Sequence, residues 1–183
     1  MSTKGNVYKK ISDHLETNVP QLIYIDKDRG QTEKENIVLV PKPAVLIGFQ
    51  RFEWEAIGGG VRQGKGSIRI RVVCENYAES YSGSIDQDQA LAFFDLNEEI
   101  DNALEGLSGE SFSQLTKISD EDDLDHDNVI ITVYEYETTI TDYSKAECQN
   151  MVPVDAEPIV KYVNKKDLPK KQVSDDIGFI INI

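Results

Sequence analysis

Ser67-Ile68-Arg69-Ile70-Arg71-Val72-Val73 is the stretch whose reading decides the fold. Apolar and basic side chains alternate, so Ile68, Ile70 and Val72 fall on one face of a strand and Arg69 and Arg71 on the other. This predicts a strand with a dry side and a wet side. Downstream, after a polar turn over residues 75–83, Ser84 stands three residues before Gln87 in the spacing of a capping box. Phe93, Leu96, Ile100, Ala103, Leu104 and Leu107 then recur at three- and four-residue intervals, the signature of an amphipathic helix. A strand feeding such a helix within residues 64–107 is the natural core of an α+β layer.

Upstream of this unit, Val7, Tyr8, Ile11 and Leu15 mark one face of a short helix that must end before Pro20. The apolar run Leu22-Ile23-Tyr24-Ile25 follows, and then Asp26-Lys27-Asp28-Arg29-Gly30-Gln31 reads as a turn. Pro41 and Pro43 introduce Ala44-Val45-Leu46-Ile47-Gly48-Phe49, apolar almost throughout, as expected of a central strand buried on both faces. Its continuation, Arg51-Phe52-Glu53-Trp54-Glu55, alternates and places Phe52 and Trp54 on one face. Five glycines fall in residues 57–66. A phosphate-binding loop would need Gly-Lys followed by Ser or Thr and then a helix, whereas Gly64-Lys65-Gly66-Ser67 leads into a strand. The expected structure is a mobile hairpin loop between antiparallel strands, reaching a partner through Gly58, Gly59, Gly60, Arg62 and Lys65.

Downstream, Phe112, Leu115 and Ile118 suggest a short irregular or helical segment. Residues 120–128 then read as an acidic solvent loop. Asp123, Asp125 and Asp127 have the alternate spacing of a calcium loop, but position twelve is Tyr134 and position six is Asn128, so only half of that motif is present. Residues 129–140 are rich in Val, Ile, Thr and Tyr and predict a long strand returning to the sheet. Beyond Tyr143 the character changes: Pro153, Pro158 and Pro169 punctuate a segment in which lysines collect, and the sequence ends in Ile177-Gly178-Phe179-Ile180-Ile181-Asn182-Ile183. An apolar terminus left free is an aggregation hazard, so Phe179, Ile180, Ile181 and Ile183 are expected to dock on the chain's own sheet or on a neighbouring subunit.

With 183 residues, 39% of them hydrophobic, the chain is long enough for one globular domain with an extension. No apolar run approaches the ~18 residues of a membrane span, so a soluble, intracellular protein without a signal peptide is expected. Cys74 and Cys148 lack metal-type spacing and are expected to be reduced. The net charge of −14 is concentrated: residues 84–127 hold fourteen acidic side chains and one basic one, Lys117. Such a face keeps a protein soluble, and it also repels a phosphate backbone instead of gripping it. His14 and His126 have no Ser, Cys or second His at a telling distance, and neighbouring acids such as Glu98 and Glu99 point in different directions on a helix. No catalytic residues, metal ligands or cofactor emerge. A protein that works by making contacts is expected, not an enzyme; a metal-dependent enzyme would require the acidic loop to be a real cation site.

The order of elements over residues 7–143 resembles that of phage tail terminator and tail-completion proteins. The similarity is carried by Tyr24-Ile25-Asp26 with Arg29-Gly30-Gln31 leading into Pro43-Ala44-Val45-Leu46-Ile47, and by the helix containing Asp95-Leu96-Asn97-Glu98-Glu99-Ile100-Asp101-Asn102-Ala103-Leu104, followed by Phe112. The resemblance implies an α+β fold with a single mixed or antiparallel β-sheet, helices packed on one face, a long glycine-rich β-hairpin and a C-terminal extension. Residues 1–143 would form the terminator-like domain and residues 144–183 an extension or docking arm. It further implies a structural subunit of a phage or prophage tail that caps the tail tube as a ring, of about six copies, and contributes to head–tail joining. Its partners would be itself, the tail tube protein and the head–tail connector, with no specific nucleic-acid binding and no membrane. It would reside in the virion tail, and in the host cytoplasm during assembly. Asp95, Glu98, Glu99, Asp101 and Glu105 would form an acidic helix face toward the DNA channel. A non-enzymatic cytoplasmic protein-binding module is the alternative.

Overall fold

The computed structural model describes residues 2–32, 37, 39–75, 80–123 and 129–146, all within one compact unit, Met1–Gln149. The apolar terminus with Phe179, Ile180, Ile181 and Ile183, the lysine-rich stretch before it, and residues 124–128 of the acidic segment lie outside the described residues.

Helix α1 (Thr3–Asn18) begins where the Ser2 hydroxyl accepts from the Gly5 N–H at 3.2 Å and buries Val7, Ile11 and Leu15. It is followed by β1 (Tyr24–Lys27), β2 (Ala44–Gly58), β3 (Val61–Glu75), α2 (Gln87–Leu104), β4 (Thr116–Asp123) and β5 (Val129–Asp142). The fold is α+β, with one five-stranded sheet in the order β1-β2-β3-β5-β4. The sheet is mixed: β1 runs parallel to β2, and every other neighbouring pair is antiparallel.

The alternation of Ile68, Ile70 and Val72 places them on the face against which both helices pack. There they meet Val7, Ile11 and Leu15 of α1, Leu96, Ile100 and Leu104 of α2, and Tyr134, Tyr136 and Ile140 of β5. The opposite face of β3 was predicted to be wet, and it is not. Val73 lies fully buried there in a second apolar cluster with Leu46, Ile131 and Val133, covered by Ile37 and Val40 from the connection between β1 and β2. Arg71 shares that face, and its guanidinium lies 3.6 Å from the Asp28 carboxylate and donates to the buried Thr32 hydroxyl. The turn after β1 therefore covers the arginine. Because both members of the ion pair are largely shielded from water, Asp28→Ala leaves a poorly solvated charge. It should cost about 2 kcal/mol in urea unfolding, below the range for a fully buried pair.

Three local expectations are corrected. Tyr24-Ile25-Asp26-Lys27 is a strand, so the turn begins at Asp28. Residues 116–123 form an edge strand against β5, not a helical segment running into an acidic loop. The Ser84 hydroxyl accepts from the Asp86 N–H at 3.2 Å and not from the helix, whose N-cap is Asp86.

The glycine-rich stretch is also different from a ten-residue loop. Only Gly59 and Gly60 stand between β2 and β3, both with positive φ, as a two-residue turn between antiparallel strands requires. Gly64 and Gly66 lie within β3, opposite Trp54 and Phe52. These glycines make room for rings, because a Cβ on Gly64 would sit 2.8 Å from the Trp54 indole and one on Gly66 2.7 Å from the Phe52 ring. Phe49, Phe52 and Trp54 form a ladder of tilted rings with centroids 6.3 and 6.4 Å apart. The Lys4 ammonium lies over Phe49 and Phe52 at 5.5 and 4.9 Å.

Candidate functional site

The acidic side chains of α2 do not form one face. Asp95 and Glu98 are exposed. Glu99, also exposed, accepts from Gln21 Nε2 at 2.8 Å, which ties the helix to the segment after α1. Asp101 turns inward, with Oδ1 accepting from the hydroxyl of the fully buried Tyr136 at 2.7 Å and Oδ2 from the Lys117 ammonium at 2.6 Å. Glu105 accepts from the Lys117 N–H at 2.8 Å. Asp101 and Glu105 therefore fasten α2 to the sheet, whereas among the described residues Asp95 and Glu98 make no such link.

What the helix spacing does build is a groove. Phe94, Asn97, Glu98 and Asp101 fall along the side of α2 that looks toward β4. With Lys117, Asp120, Glu121 and Asp122 of β4, and Thr132 and Tyr134 of β5, they line a groove of about 530 Å³. The Lys117 ammonium sits between Asp101 and Asp120, 3.5 Å from the latter, and 5.5 Å from the Tyr134 ring centroid. Asn97 donates through Nδ2 to the Thr132 hydroxyl at 3.0 Å, and that hydroxyl donates to Asp122 at 3.0 Å. Asn97 is only 6% exposed, yet among the described residues its Oδ1 has no donor. Phe94, in contrast, is 56% exposed.

The field in the groove is negative. Burial, and then the charges of Asp101, Asp120 and Asp122, push the Tyr134 hydroxyl up to about 12. The Lys117 ammonium is raised as well, chiefly by its bond to Asp101. A tyrosine so far above neutrality is no general base, and the described lining holds no serine or cysteine nucleophile. Among the described residues no group of three or more His, Cys, Asp or Glu could hold a metal ion. Of the calcium-like triplet, Asp123 ends β4 opposite Ile131, while Asp125 and Asp127 lie outside the described residues. The groove has the chemistry to bind a cationic, donor-rich group.

A second cavity of about 220 Å³ lies where Cys74 and Glu75 meet Phe93 and Leu96, beside Pro43. Burial pushes the Cys74 thiol up to about 11, so it remains protonated and unreactive. The His14 ring stands 3.2 Å from the Asn18 amide, one turn along α1.

The predicted contact residues surround the β2–β3 turn. Gly58, Gly59 and Gly60 all have positive φ. Arg62 is exposed opposite Asp142, and the Lys65 ammonium pairs with Glu137 at 3.1 Å. Sequence reasoning missed the neighbouring strand edge. β1 pairs with β2 only as far as Ile47, so among the described residues nothing pairs with that side of residues 48–58. It also missed Asn97, whose polar amide between Leu96 and the acidic Glu98 gave no sign of being buried. No helix among the described residues is long and apolar enough to cross a membrane. No protein-family model matches the chain, and no curated protein is similar to it.

Proposed function

We propose that the chain is a structural subunit of a phage or prophage tail that assembles head to tail into a ring of about six copies. The ring caps the tail tube, stops its growth and offers a surface to the head–tail connector. The subunit waits in the host cytoplasm during assembly and ends in the virion tail. The tail assignment is supported by the resemblance in element order, and the ring by one feature above all: the open edge of β2 over residues 48–58. That edge carries Trp54, 41% exposed, and Ile57, 56% exposed. A long open strand edge is a hazard in a monomer; Arg51, Glu53 and Glu55 put charge on this one, but Trp54 and Ile57 stay exposed beside them, and a neighbouring subunit would cover them. The outward acids of α2, Asp95 foremost, give the assembled ring a surface that repels phosphate and lets DNA pass.

The test is the mass of the full-length protein in solution, measured by light scattering behind a sizing column over a hundredfold range of concentration, with and without Mg²⁺. A closed oligomer near six subunits is the expected result. A monomer under every condition would sink the self-assembling ring and favour a protein-binding module, for which the exposed Phe94 beside the acidic groove would be the contact.

A further inference from the structure

The groove between α2 and β4 holds more acceptor capacity than its own chain uses. Among the described residues Lys117 is the cation in the lining, and Asp101 and Asp120 already engage it. Glu98, Glu121 and Asp122 add further carboxylates, of which Asp122 accepts from the Thr132 hydroxyl. Asn97, in the same lining, is tied to Thr132 through Nδ2, and its Oδ1 is left a buried acceptor with no donor among the described residues. Such an acceptor is costly unless a donor arrives. It points to a ligand independently of the acidic charge. Phe94 adds an exposed ring to the same wall.

These acceptors select the occupant. Among the described residues no group of three or more His, Cys, Asp or Glu could hold a metal ion, so the carboxylates suit a cation that spreads its charge over several donors. An ammonium is a compact point charge, and Lys117 already supplies one. A guanidinium donates in a planar fork to a carboxylate and an amide oxygen, and it stacks on an aromatic face such as that of Phe94. The guanidinium comes from another protein. All five arginines of this sequence stand beside acids of their own chain. Arg29, Arg51 and Arg71 pair with Asp26, Glu53 and Asp28 at 2.9, 3.3 and 3.6 Å. Arg62 and Arg69 lie opposite Asp142 and Glu135 in the strand register. The excess of acids over residues 84–127 attracts a basic partner to the part of the chain that builds the groove.

We propose that the α2–β4 groove is a receptor for an arginine side chain of a basic partner protein, its guanidinium donating to Asn97 and the groove carboxylates and stacking on Phe94. The inference goes beyond the ring and does not rest on it, because the occupant is a different protein and the groove is complete within one subunit.

The experiment titrates the full-length protein, by calorimetry at physiological ionic strength, with a capped Gly-Arg-Gly-Arg-Gly peptide and with the same peptide carrying lysine or glutamine for arginine. The arginine peptide should bind about tenfold more tightly than the lysine peptide, and the glutamine peptide should not bind. In amide NMR spectra the Asn97 side-chain resonances should shift together with the backbone of β4. Phe94→Ala should lower the arginine peptide to the affinity of the lysine peptide. Glu98→Gln with Glu121→Gln should weaken both peptides by about tenfold. Phe94, Glu98 and Glu121 are exposed, so these variants should fold. If one does not, the Asn97 shifts in the wild type still read the site. Asp13→Asn with Glu16→Gln removes as many charges from the exposed side of α1 and should leave both affinities within about twofold. An equal loss from the α1 pair would mean a diffuse attraction and overturn the groove as the site. Equal affinities for arginine and lysine overturn the guanidinium, and no binding at millimolar peptide overturns the receptor. A wild-type oligomer that falls apart as the peptide saturates it would place a second copy in the groove and overturn the different partner. The mass without peptide tests the ring separately.

Discussion

Asp101→Ala should destabilise the protein by about 3 kcal/mol, an unusually large effect for an acidic side chain on a helix. The carboxylate links α2 to two strands at once, accepting from Tyr136 of β5 on one oxygen and from Lys117 of β4 on the other. Removing it leaves the Tyr136 hydroxyl, on a side chain with no exposure to solvent, without an acceptor. A buried hydroxyl left unpaired costs roughly 1–3 kcal/mol, and the loss of a charge-assisted bond from Lys117 adds to that. Tyr136→Phe should cost less, about 1.5 kcal/mol, because Asp101 keeps Lys117 and is itself partly exposed. The two changes should be strongly non-additive in a double-mutant cycle by urea unfolding. Additive costs would mean that the hydroxyl and the carboxylate do not depend on one another.

The same network sets an alkaline limit. Burial, and then the bond to Asp101, raise the Tyr136 hydroxyl well above its ordinary value of 10.0, and burial raises Tyr134 to about 12. A phenol whose value is raised in the folded state contributes stability that is whole below pH 10. Above pH 10 the unfolded chain ionises while the folded one does not, and each such tyrosine then removes about 1.4 kcal/mol per pH unit. Tyr134 stops contributing near pH 12, whereas Tyr136 continues beyond. Melting temperatures measured from pH 8 to 11 should therefore fall less steeply for Tyr136→Phe than for the wild type.

The parts of this network were legible in the sequence to different degrees. The spacing of Leu96, Ile100 and Leu104 identified the buried stripe of α2, and the alternation of Ile68, Ile70 and Val72 identified the face of β3 that receives it. Periodicity reports which side of an element is buried, and both helices were found that way. It does not report what a polar side chain at the margin of the stripe will touch, so Asp101 and Asp95 read alike although one bonds Tyr136 and the other faces water. β4 was missed because Thr-Lys-Ile-Ser-Asp-Glu-Asp-Asp has neither strand propensity nor alternation. Its place comes from pairing with β5, and its charge suits an edge that must not recruit further strands. Arg71 was misplaced for a related reason. Its alternation was read correctly, but the cover over that face comes from the turn after β1, which local patterning cannot position. The groove depends on β4 and on the inward turn of Asp101, and so could not have been drawn from the sequence.

Gly66→Ala should cost about 3 kcal/mol, while Gly64→Ala, two residues away on the same face, should cost about 1 kcal/mol. Each glycine was first read as freedom for a loop, and each in fact lies under an aromatic ring. A Cβ on Gly66 would stand 2.4 Å from the Arg51 carbonyl oxygen as well as 2.7 Å from the Phe52 ring. Backbone must then move, at the place where the register between β2 and β3 already shifts between Phe49 and Phe52. At Gly64 the clash is with the Trp54 ring alone, at 2.8 to 2.9 Å, and that ring is partly exposed and can swing outward. Trp54→Ala should therefore relieve most of the cost of Gly64→Ala and almost none of the cost of Gly66→Ala. Counting outward from Gly59-Gly60 would set Trp54 opposite Lys65 and Phe52 opposite Ser67; a register shift between Ala56 and Gly58 moves the pairing by one residue and brings Gly64 and Gly66 under the rings, which the sequence did not disclose. Rings laid over strand glycines protect the backbone beneath them and pin the register. They pack over the β2–β3 pair beyond the reach of β1, between the two places where its register shifts. In urea unfolding, equal costs for the two alanines would show that the rings yield at both sites and that the register is not pinned by them.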